Sequence, residues 1–173
     1  MKKYTVLKWI IFSVAIATNI FIIVNSCISG GVSANQSNVI ANAAEKIING
    51  IKPGSINNEN YSSFASLIRK LFGHFGLFCF SGVFTTWTFY LFLNNTKLNY
   101  FLKFSGVSFG VGIAIAGLSE FIQIFVPGRS GSIADVGIDS AGYLIGVLLV
   151  IFILFLAKKP IFNRVKKEKS QAC

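Results

Sequence analysis

Residues 118–142 read LSEFIQIFVPGRSGSIADVGIDSAG and lie between two long apolar segments. Pro127 ends a helix, and the glycines that follow it permit tight backbone turns. The stretch therefore predicts the end of one helix, a Pro-Gly loop and the start of another helix. It also holds three of the chain's six acidic residues and one of its sixteen basic residues: Glu120, Asp135, Asp139 and Arg129.

The composition around this stretch is typical of an integral membrane protein. Of 173 residues, 53% are hydrophobic and 13% are charged, and the mean hydropathy is +0.65. A water-soluble domain of this size is usually more polar. The net charge of +10 does not predict nucleic-acid binding, because the bases collect at the ends of apolar segments. Cys27, Cys79 and Cys173 form no disulfide or metal-binding pattern.

Four stretches are apolar enough, and long enough at about 20 residues, to cross a bilayer as helices. We predict spans over residues 9–28, 71–93, 104–126 and 136–156. The predicted fold is all-α: a polytopic four-transmembrane-helix bundle, with residues 1–173 forming one membrane domain. The sequence VNSC, which ends at Cys27, raises the alternative of a cleaved lipoprotein signal. An uncleaved anchor is favoured, because Asn25 fits such a cleavage box poorly.

The basic residues predict the orientation of these spans. Five of the sixteen lie in the segments that would be outside, partly offset by Glu45, Glu59, Asp135 and Asp139: Lys46, Lys52, Arg69, Lys70 and Arg129. The other eleven lie before the first span, between the second and third, and in the tail 157–173: Lys2, Lys3, Lys8, Lys97, Lys103, Lys158, Lys159, Arg164, Lys166, Lys167 and Lys169. With four spans, all these groups fall on one side, which the positive-inside rule makes the cytoplasm. We therefore predict a multi-pass protein of the cell membrane with both termini cytoplasmic.

The polar segment 29–70 then lies outside and holds two predicted amphipathic helices. The first has apolar residues at helical spacing, with Ser37 or Asn38 as its cap and Gly50 at its end. We expect it on the membrane surface or against the tops of the spans. The second begins near Ser62, and its apolar stripe continues toward the second span.

Glu120 lies deep enough to need a partner. At 1.5 Å per residue it is about 9 Å below the outer end of the third span. An unpaired carboxylate there costs several kcal/mol or stays protonated. Gln123 shares its helix face, and Arg129 in the loop is the natural counterion for Glu120 or for a ligand phosphate or carboxylate.

The start of the fourth span carries Asp135 and Asp139 on one helix face. The helix dipole alone explains an acid at Asp135. Two carboxylates one turn apart repel, however, unless a cation, a proton or Arg129 lies between them. Gly142 and Gly146 continue almost the same face in a small-xxx-small pattern, which predicts close helix packing.

The second span begins with three further candidates. His74, the chain's single histidine, lies about one turn inside the span. Such a residue is more often a packing residue than a catalyst, although ionisable groups within a membrane are functional candidates. Arg69 and Lys70 precede it at the interface, where anchoring at lipid headgroups is their simplest role.

The run E-x-x-Q-x-x-x-P-G-R-x-x-x-x-x-D-x-x-x-D-x-x-G-x-x-x-G, from Glu120 to Gly146, resembles the signature of the VanZ-like membrane protein family. That family usually has Asn where this chain has Asp139. Leu77 stands where an acidic residue is common, which does not support a His-acid pair on the second span. The similarity extends over residues 62–157 and includes six residues of the second span: Arg69, Lys70, His74, Phe75, Phe78 and Gly82.

The resemblance implies a cell-envelope protein associated with resistance to teicoplanin, a glycopeptide that acts on cell-wall precursors outside the membrane. We therefore expect an outer-leaflet polar pocket, without a cofactor or metal, that binds a cell-wall precursor lipid or a glycopeptide-related ligand. Its lining is predicted to be Arg69, Lys70, His74, Glu120, Gln123, Arg129, Asp135 and Asp139. The bilayer is the other partner.

Two alternatives remain open. One is an intramembrane transferase or hydrolase acting on a lipid-linked substrate, with His74 or Glu120 as acid/base and Asp135 with Asp139 holding a divalent metal. No motif fixes a nucleophile for it. The other alternative is a structural partner subunit, in which the charges only pin the loop and the helices together.

Overall fold

A computed structural model describes residues 2–93 and 98–171 of the chain. These residues are helical apart from short connections, and no strand occurs among them. This confirms the all-α prediction; Lys97 and Cys173 lie outside the described residues. The helices are α1 (Lys2–Ser26), α2 (Gly30–Ile51), α3 (Tyr61–Ile68), a π-helical segment (Arg69–Gly76), α4 (Leu77–Leu93), α5 (Leu98–Gln123) and α6 (Ile133–Gln171).

Four helical stretches are long and apolar enough to cross a membrane: Thr5–Ser26, Tyr61–Phe92, Lys103–Gln123 and Ile133–Ala157. The prediction of four spans is therefore confirmed. The second stretch begins ten residues before the predicted position 71, because α3, the π-helical segment and α4 run on without a break. The third helix ends three residues before position 126, because the chain tightens into i→i+3 turns ahead of Pro127.

α2 is longer than the predicted amphipathic helix and begins at Gly30 instead of near Ser37 or Asn38. The cap prediction is wrong because Ser37 lies inside the helix, where its hydroxyl donates to the carbonyl of Ser33 at 2.9 Å. The true start is held by the Pro-Gly loop, since the Gly30 N–H donates to the carbonyl of Pro127 at 3.0 Å. The N-terminus of α2 is thereby tied to the loop between α5 and α6.

Gly30→Ala is expected to detach the start of α2 from this loop. A Cβ at Gly30 would overlap the carbonyl oxygen of Gly128, and backbone atoms cannot move aside as a flexible side chain does. Hydrogen exchange of the amides at residues 30–33 and 128–132 should accelerate. Gly31→Ala is the matched control, because a Cβ there meets nothing within 4 Å; equal exchange in the two variants would contradict the proposed contact.

The bundle is built around the packing of α4 against α6. A Cβ on Gly142 would overlap the carbonyl of Phe75, and one on Gly146 would overlap the carbonyl of Cys79. Glycine at these positions lets the backbone of α6 touch that of the π-helical segment at Phe75 and that of α4 at Cys79. Such contacts are common between membrane helices. The buried apolar core lies beside this contact and consists of Ile22, Phe78, Ala116, Tyr143 and Val147.

Polar side chains inside the bundle satisfy one another across helices. Asn19 on α1 accepts a hydrogen bond from the hydroxyl of Ser81 at 2.7 Å and donates to Thr85 at 3.2 Å. The hydroxyls of Ser26 and Ser119 lie 2.7 Å apart and join α1 to α5. Because hydrocarbon offers no other partner, such bonds link the helices and fix their register.

Candidate functional site

The polar residues of the third and fourth spans meet at one end of the bundle. This loop-side end is formed by the C-terminal ends of α1 and α5, the π-helical segment, the start of α6 and the Pro-Gly loop. α2 covers part of it, since its first residues lie against the loop. Residues distant in sequence are therefore neighbours here.

Glu120 is buried, with 3% of its surface exposed, and is satisfied from its own helix and from the loop. Its Oε1 accepts a hydrogen bond from Gln123 Nε2 at 2.9 Å, and its Oε2 accepts one from the Ser132 backbone N–H at 3.0 Å. The expected pairing of Glu120 with Gln123 is present. The ion pair with Arg129 is not, because the loop offers a backbone amide to the carboxylate instead.

His74 lies between two carboxylates. Its Nδ1 is 3.1 Å from Oδ1 of Asp139 and 3.9 Å from Oε1 of Glu120. Asp139 is completely buried, and its Oδ2 has no hydrogen-bond partner in the described part of the chain. The acid that partners His74 therefore comes from α6. It does not come from position 77 on the second span, where this chain has leucine. We call His74, Glu120 and Asp139 the acid cluster.

Asp135 shares the helix face of Asp139 but has a different partner. Lys70 Nζ lies 3.3 Å from Asp135 Oδ1, and the two side chains are 44% and 13% exposed. Such a partly solvated ion pair contributes at most about 1 kcal/mol. Lys70, and not Arg129, is therefore the cation at the start of α6.

Arg129 and Arg69 face a cavity of about 240 Å³. Neither guanidinium lies within 4.0 Å of a carboxylate among the side chains that the structure describes. Partial burial lowers the pKa of Arg129, the positive charge of Arg69 lowers it further, and Glu120 opposes both effects. The guanidinium of Arg129 nevertheless stays charged, because the ordinary arginine pKa lies far above neutral pH.

The cavity wall is mixed in character. No carboxylate belongs to the described wall, whose polar members besides the arginines include His74, Gln123, Ser26 and Ser119. Its apolar members come from α1, α2 and the second span: Phe21, Ile22, Ile40, Ile68, Phe72, Leu77 and Phe78. The cavity can therefore accept a group that is anionic at one end and apolar at the other.

Local backbone geometry places the basic side chains. Arg69, Lys70 and His74 all lie in the π-helical segment, whose wider turn changes the helical register between α3 and α4. Isolated π-helical turns are frequent at functional sites. The sequence offered no signal for this feature, because no residue pattern distinguishes a π turn from an α turn.

Sequence reasoning missed the contribution of α2 to the cavity. Ser33, Gln36 and Ser37 line it, although the segment was predicted to lie on the membrane surface or the span tops. Their i, i+3, i+4 spacing marks a polar stripe on one helix face. The polar stripe could have indicated that α2 lines the cavity. The prediction relied instead on the apolar stripe of the same helix.

Comparison with known proteins identifies the family. The family described as VanZ/LLP1 matches residues 9–156, which is most of the chain. The chain therefore belongs to this family, as the resemblance at Glu120–Gly146 predicted. No curated protein and no solved structure matches it.

Proposed function

We propose that this VanZ/LLP1-family membrane protein binds the anionic headgroup of a cell-envelope lipid in the cavity beside Arg129. The observation that carries the proposal is that two arginines in the cavity wall have no carboxylate partner in the described part of the chain. Arg129 and Arg69 line one cavity, and neither is paired with a carboxylate among the described residues. Two like charges close together repel, so an anion between them relieves a cost and gains charge-assisted hydrogen bonds.

Lys70, Asp135 and Glu120, which lie near Arg129, already have partners. Lys70 pairs with Asp135, and Glu120 accepts hydrogen bonds from Gln123 and the loop. These contacts hold the loop that carries Arg129 and leave its guanidinium for a ligand. Arginine also matches phosphate and carboxylate groups through two parallel hydrogen bonds.

The size of the cavity points to a headgroup rather than to a whole lipid. At about 240 Å³ it is slightly smaller than typical sites for drug-sized ligands. The phenylalanine and isoleucine side chains in the wall suit the first carbons of a lipid tail, which then continues into the bilayer. A polyprenyl phosphate, the chemistry of a cell-wall precursor carrier, combines both properties.

The binding test uses the full-length protein in nanodiscs of zwitterionic lipid. Polyprenyl phosphate is titrated against the matching uncharged polyprenol, and binding is followed by native mass spectrometry. We expect saturable binding of the phosphate and at least about tenfold weaker binding of the alcohol, because the arginines lose their charge-assisted partner. Equal affinities for the two would refute the proposal.

We further propose that the loop-side end faces the outside of the cell, because the basic residues predict cytoplasmic termini. The probe is a single cysteine introduced at the exposed residue Ser130. The native cysteines of the chain are replaced. A membrane-impermeant maleimide should label Ser130→Cys in intact cells. A cysteine at Lys103, an exposed residue near the opposite end, should react only after permeabilisation; the reverse pattern would invert the topology.

Teicoplanin resistance follows as a cellular expectation of the same proposal. A protein that holds a precursor lipid at the outer leaflet changes what is available to an antibiotic that acts on cell-wall precursors. Expression in a susceptible Gram-positive host should raise the minimal inhibitory concentration of teicoplanin. An unchanged concentration with normal membrane abundance would separate lipid binding from resistance and leave only the binding proposal.

An enzymatic function is the second candidate, and the position of His74 favours it. His74 lines the cavity while its Nδ1 contacts Asp139, an arrangement that suits acid/base catalysis on a bound lipid. No hydroxyl in the described cavity wall is hydrogen-bonded to His74, so the nucleophile would be water. Turnover of a lipid-linked pyrophosphate by wild type, and none by His74→Gln, would select this candidate.

A further inference from the structure

The acid cluster places two buried carboxyl groups beside a single imidazole. Glu120 and Asp139 are 3% and 0% exposed, and His74 is the basic group between them. Lys70 is engaged by Asp135, and neither arginine reaches a carboxylate within 4.0 Å in the described chain. Two buried carboxylates with one imidazole are costly unless a further positive charge joins them.

The geometry of the three side chains suits a metal ion. One ligand atom from each of His74, Glu120 and Asp139 lies within 4.8 Å of the others. Two of the separations, measured from His74 Nδ1, are 3.1 Å and 3.9 Å. A tetrahedral Zn²⁺ with ligands at about 2.0–2.1 Å needs ligand atoms about 3.3–3.4 Å apart. Small rotamer adjustments therefore bring all three into coordination.

Asp139 gives the second, independent indication. Its side chain is completely buried, and Oδ2 has no hydrogen-bond partner among the described residues. Buried carboxylate oxygens are almost always hydrogen-bonded or bound to a cation. A metal ion on Asp139 would satisfy this carboxylate oxygen.

The surroundings of Glu120 resemble those of a metal ligand. Its Oε2 is fixed by the Ser132 backbone N–H and its Oε1 by Gln123, so the carboxylate is oriented before any ion arrives. Hydrogen bonds of this kind typically orient ligating carboxylates. They also connect the acid cluster to the Pro-Gly loop.

We infer that His74, Glu120 and Asp139 bind one divalent transition-metal ion, with Zn²⁺ the best match. One imidazole and two carboxylates suit a borderline cation, and a +2 ion balances the two carboxylates while the imidazole stays neutral. Three protein ligands leave one coordination position open, and His74 also lines the cavity of Arg129. A phosphate oxygen bound in that cavity is a natural fourth ligand.

The site differs from the pair that the sequence suggested for a metal. Asp135 and Asp139 share a helix face, but Asp135 is taken by Lys70 at 3.3 Å, while Asp139 meets His74 and Glu120 from two other helices. A ligand set drawn from three helical segments also ties the π-helical segment, α5 and α6 together. Metal binding should therefore stabilise the loop-side end of the bundle.

The test measures metal content on the full-length protein in detergent. After chelator treatment and reconstitution with Zn²⁺, plasma mass spectrometry should give about one ion per wild-type chain. His74→Gln and Asp139→Asn should each lower the affinity by at least about tenfold, since removing only a supporting residue costs 10–100-fold. Glu59→Gln removes an exposed acid outside the cluster and should leave the stoichiometry unchanged.

A spectroscopic measurement on wild type keeps the test independent of variant folding. Co²⁺ should give a visible d–d absorption band of a four-coordinate N/O site that Zn²⁺ displaces. Helical circular dichroism and a single gel-filtration peak identify the variants that are folded. Folded wild type that binds neither ion, or folded His74→Gln and Asp139→Asn variants with full Zn²⁺ content, would overturn the assignment and indicate shared protons instead. Lipid binding through Arg129 is measured separately and does not depend on this result.

Discussion

Arg129→Ala is expected to abolish detectable binding of polyprenyl phosphate. A charge-assisted hydrogen bond contributes about 1.5–3 kcal/mol, and loss of a two-pronged contact therefore lowers the affinity by at least about a hundredfold. The fold should survive, because Arg129 lies in a loop and has no ion pair with a described acid. Native mass spectrometry in nanodiscs gives the dissociation constant, and helical circular dichroism reports the fold.

Two further variants show whether the guanidinium itself is required. Arg129→Lys keeps the charge but loses the planar fork, so its affinity should fall between those of wild type and Arg129→Ala. Lys46→Ala is the control, because Lys46 is an exposed base on α2 that does not line the cavity. Binding that is unchanged in Arg129→Ala, or equally reduced in Lys46→Ala, would show that surface charge and not the cavity recognises the lipid.

The spans could be predicted from the sequence because their signal is local. A helix that crosses a bilayer needs only a sufficient run of apolar residues, and four such runs are present. The polar faces of α5 and α6 were equally readable, since residues three and four apart share a helix face. The grouping of Glu120 with Gln123, and of Asp135 near Asp139, follows from that spacing alone.

The pairings between helices could not be predicted, because they depend on distances that spacing does not fix. Sequence placed Arg129 opposite Glu120, whereas the loop presents the Ser132 amide to that carboxylate. It likewise gave no reason to pair His74 with Asp139, which is 65 residues away. The tilt of helices and the register change of the π-helical segment decide such contacts.

The position of α2 shows a further limit of sequence patterns. Its amphipathic stripe predicted a helix correctly, but the same stripe suits a membrane surface or the side of a bundle. The backbone contact of Gly30 with Pro127 holds α2 at the side of the bundle. This contact ties the start of α2 to the loop beside the cavity, and Ser33, Gln36 and Ser37 line that cavity.

Gly146→Ala is expected to be the most destabilising single-methyl change in the contact between α4 and α6. The added Cβ would overlap the carbonyl of Cys79 and lie 2.8 Å from the backbone nitrogen of Val83. Because both neighbours are backbone atoms, the helices must separate, and overpacking of this kind costs about 1–3 kcal/mol. Thermal unfolding in detergent, followed by circular dichroism, should show a melting temperature lower by about 2–12 °C.

Gly137→Ala on the same helix is a control that should not lower the melting temperature. Its Cβ meets nothing within 4 Å, so the substitution only replaces glycine by the best helix former. The melting temperature should rise or stay the same, since alanine is favoured over glycine in a helix by about 1 kcal/mol. If both variants raise the melting temperature, helix propensity outweighs the backbone contact at Gly146. If both lower it equally, the loss in Gly146→Ala is not specific to that contact. Opposite shifts assign the stability to the close approach of α4 and α6. The π-helical segment, which leads directly into α4, places His74 beside Asp139 of α6.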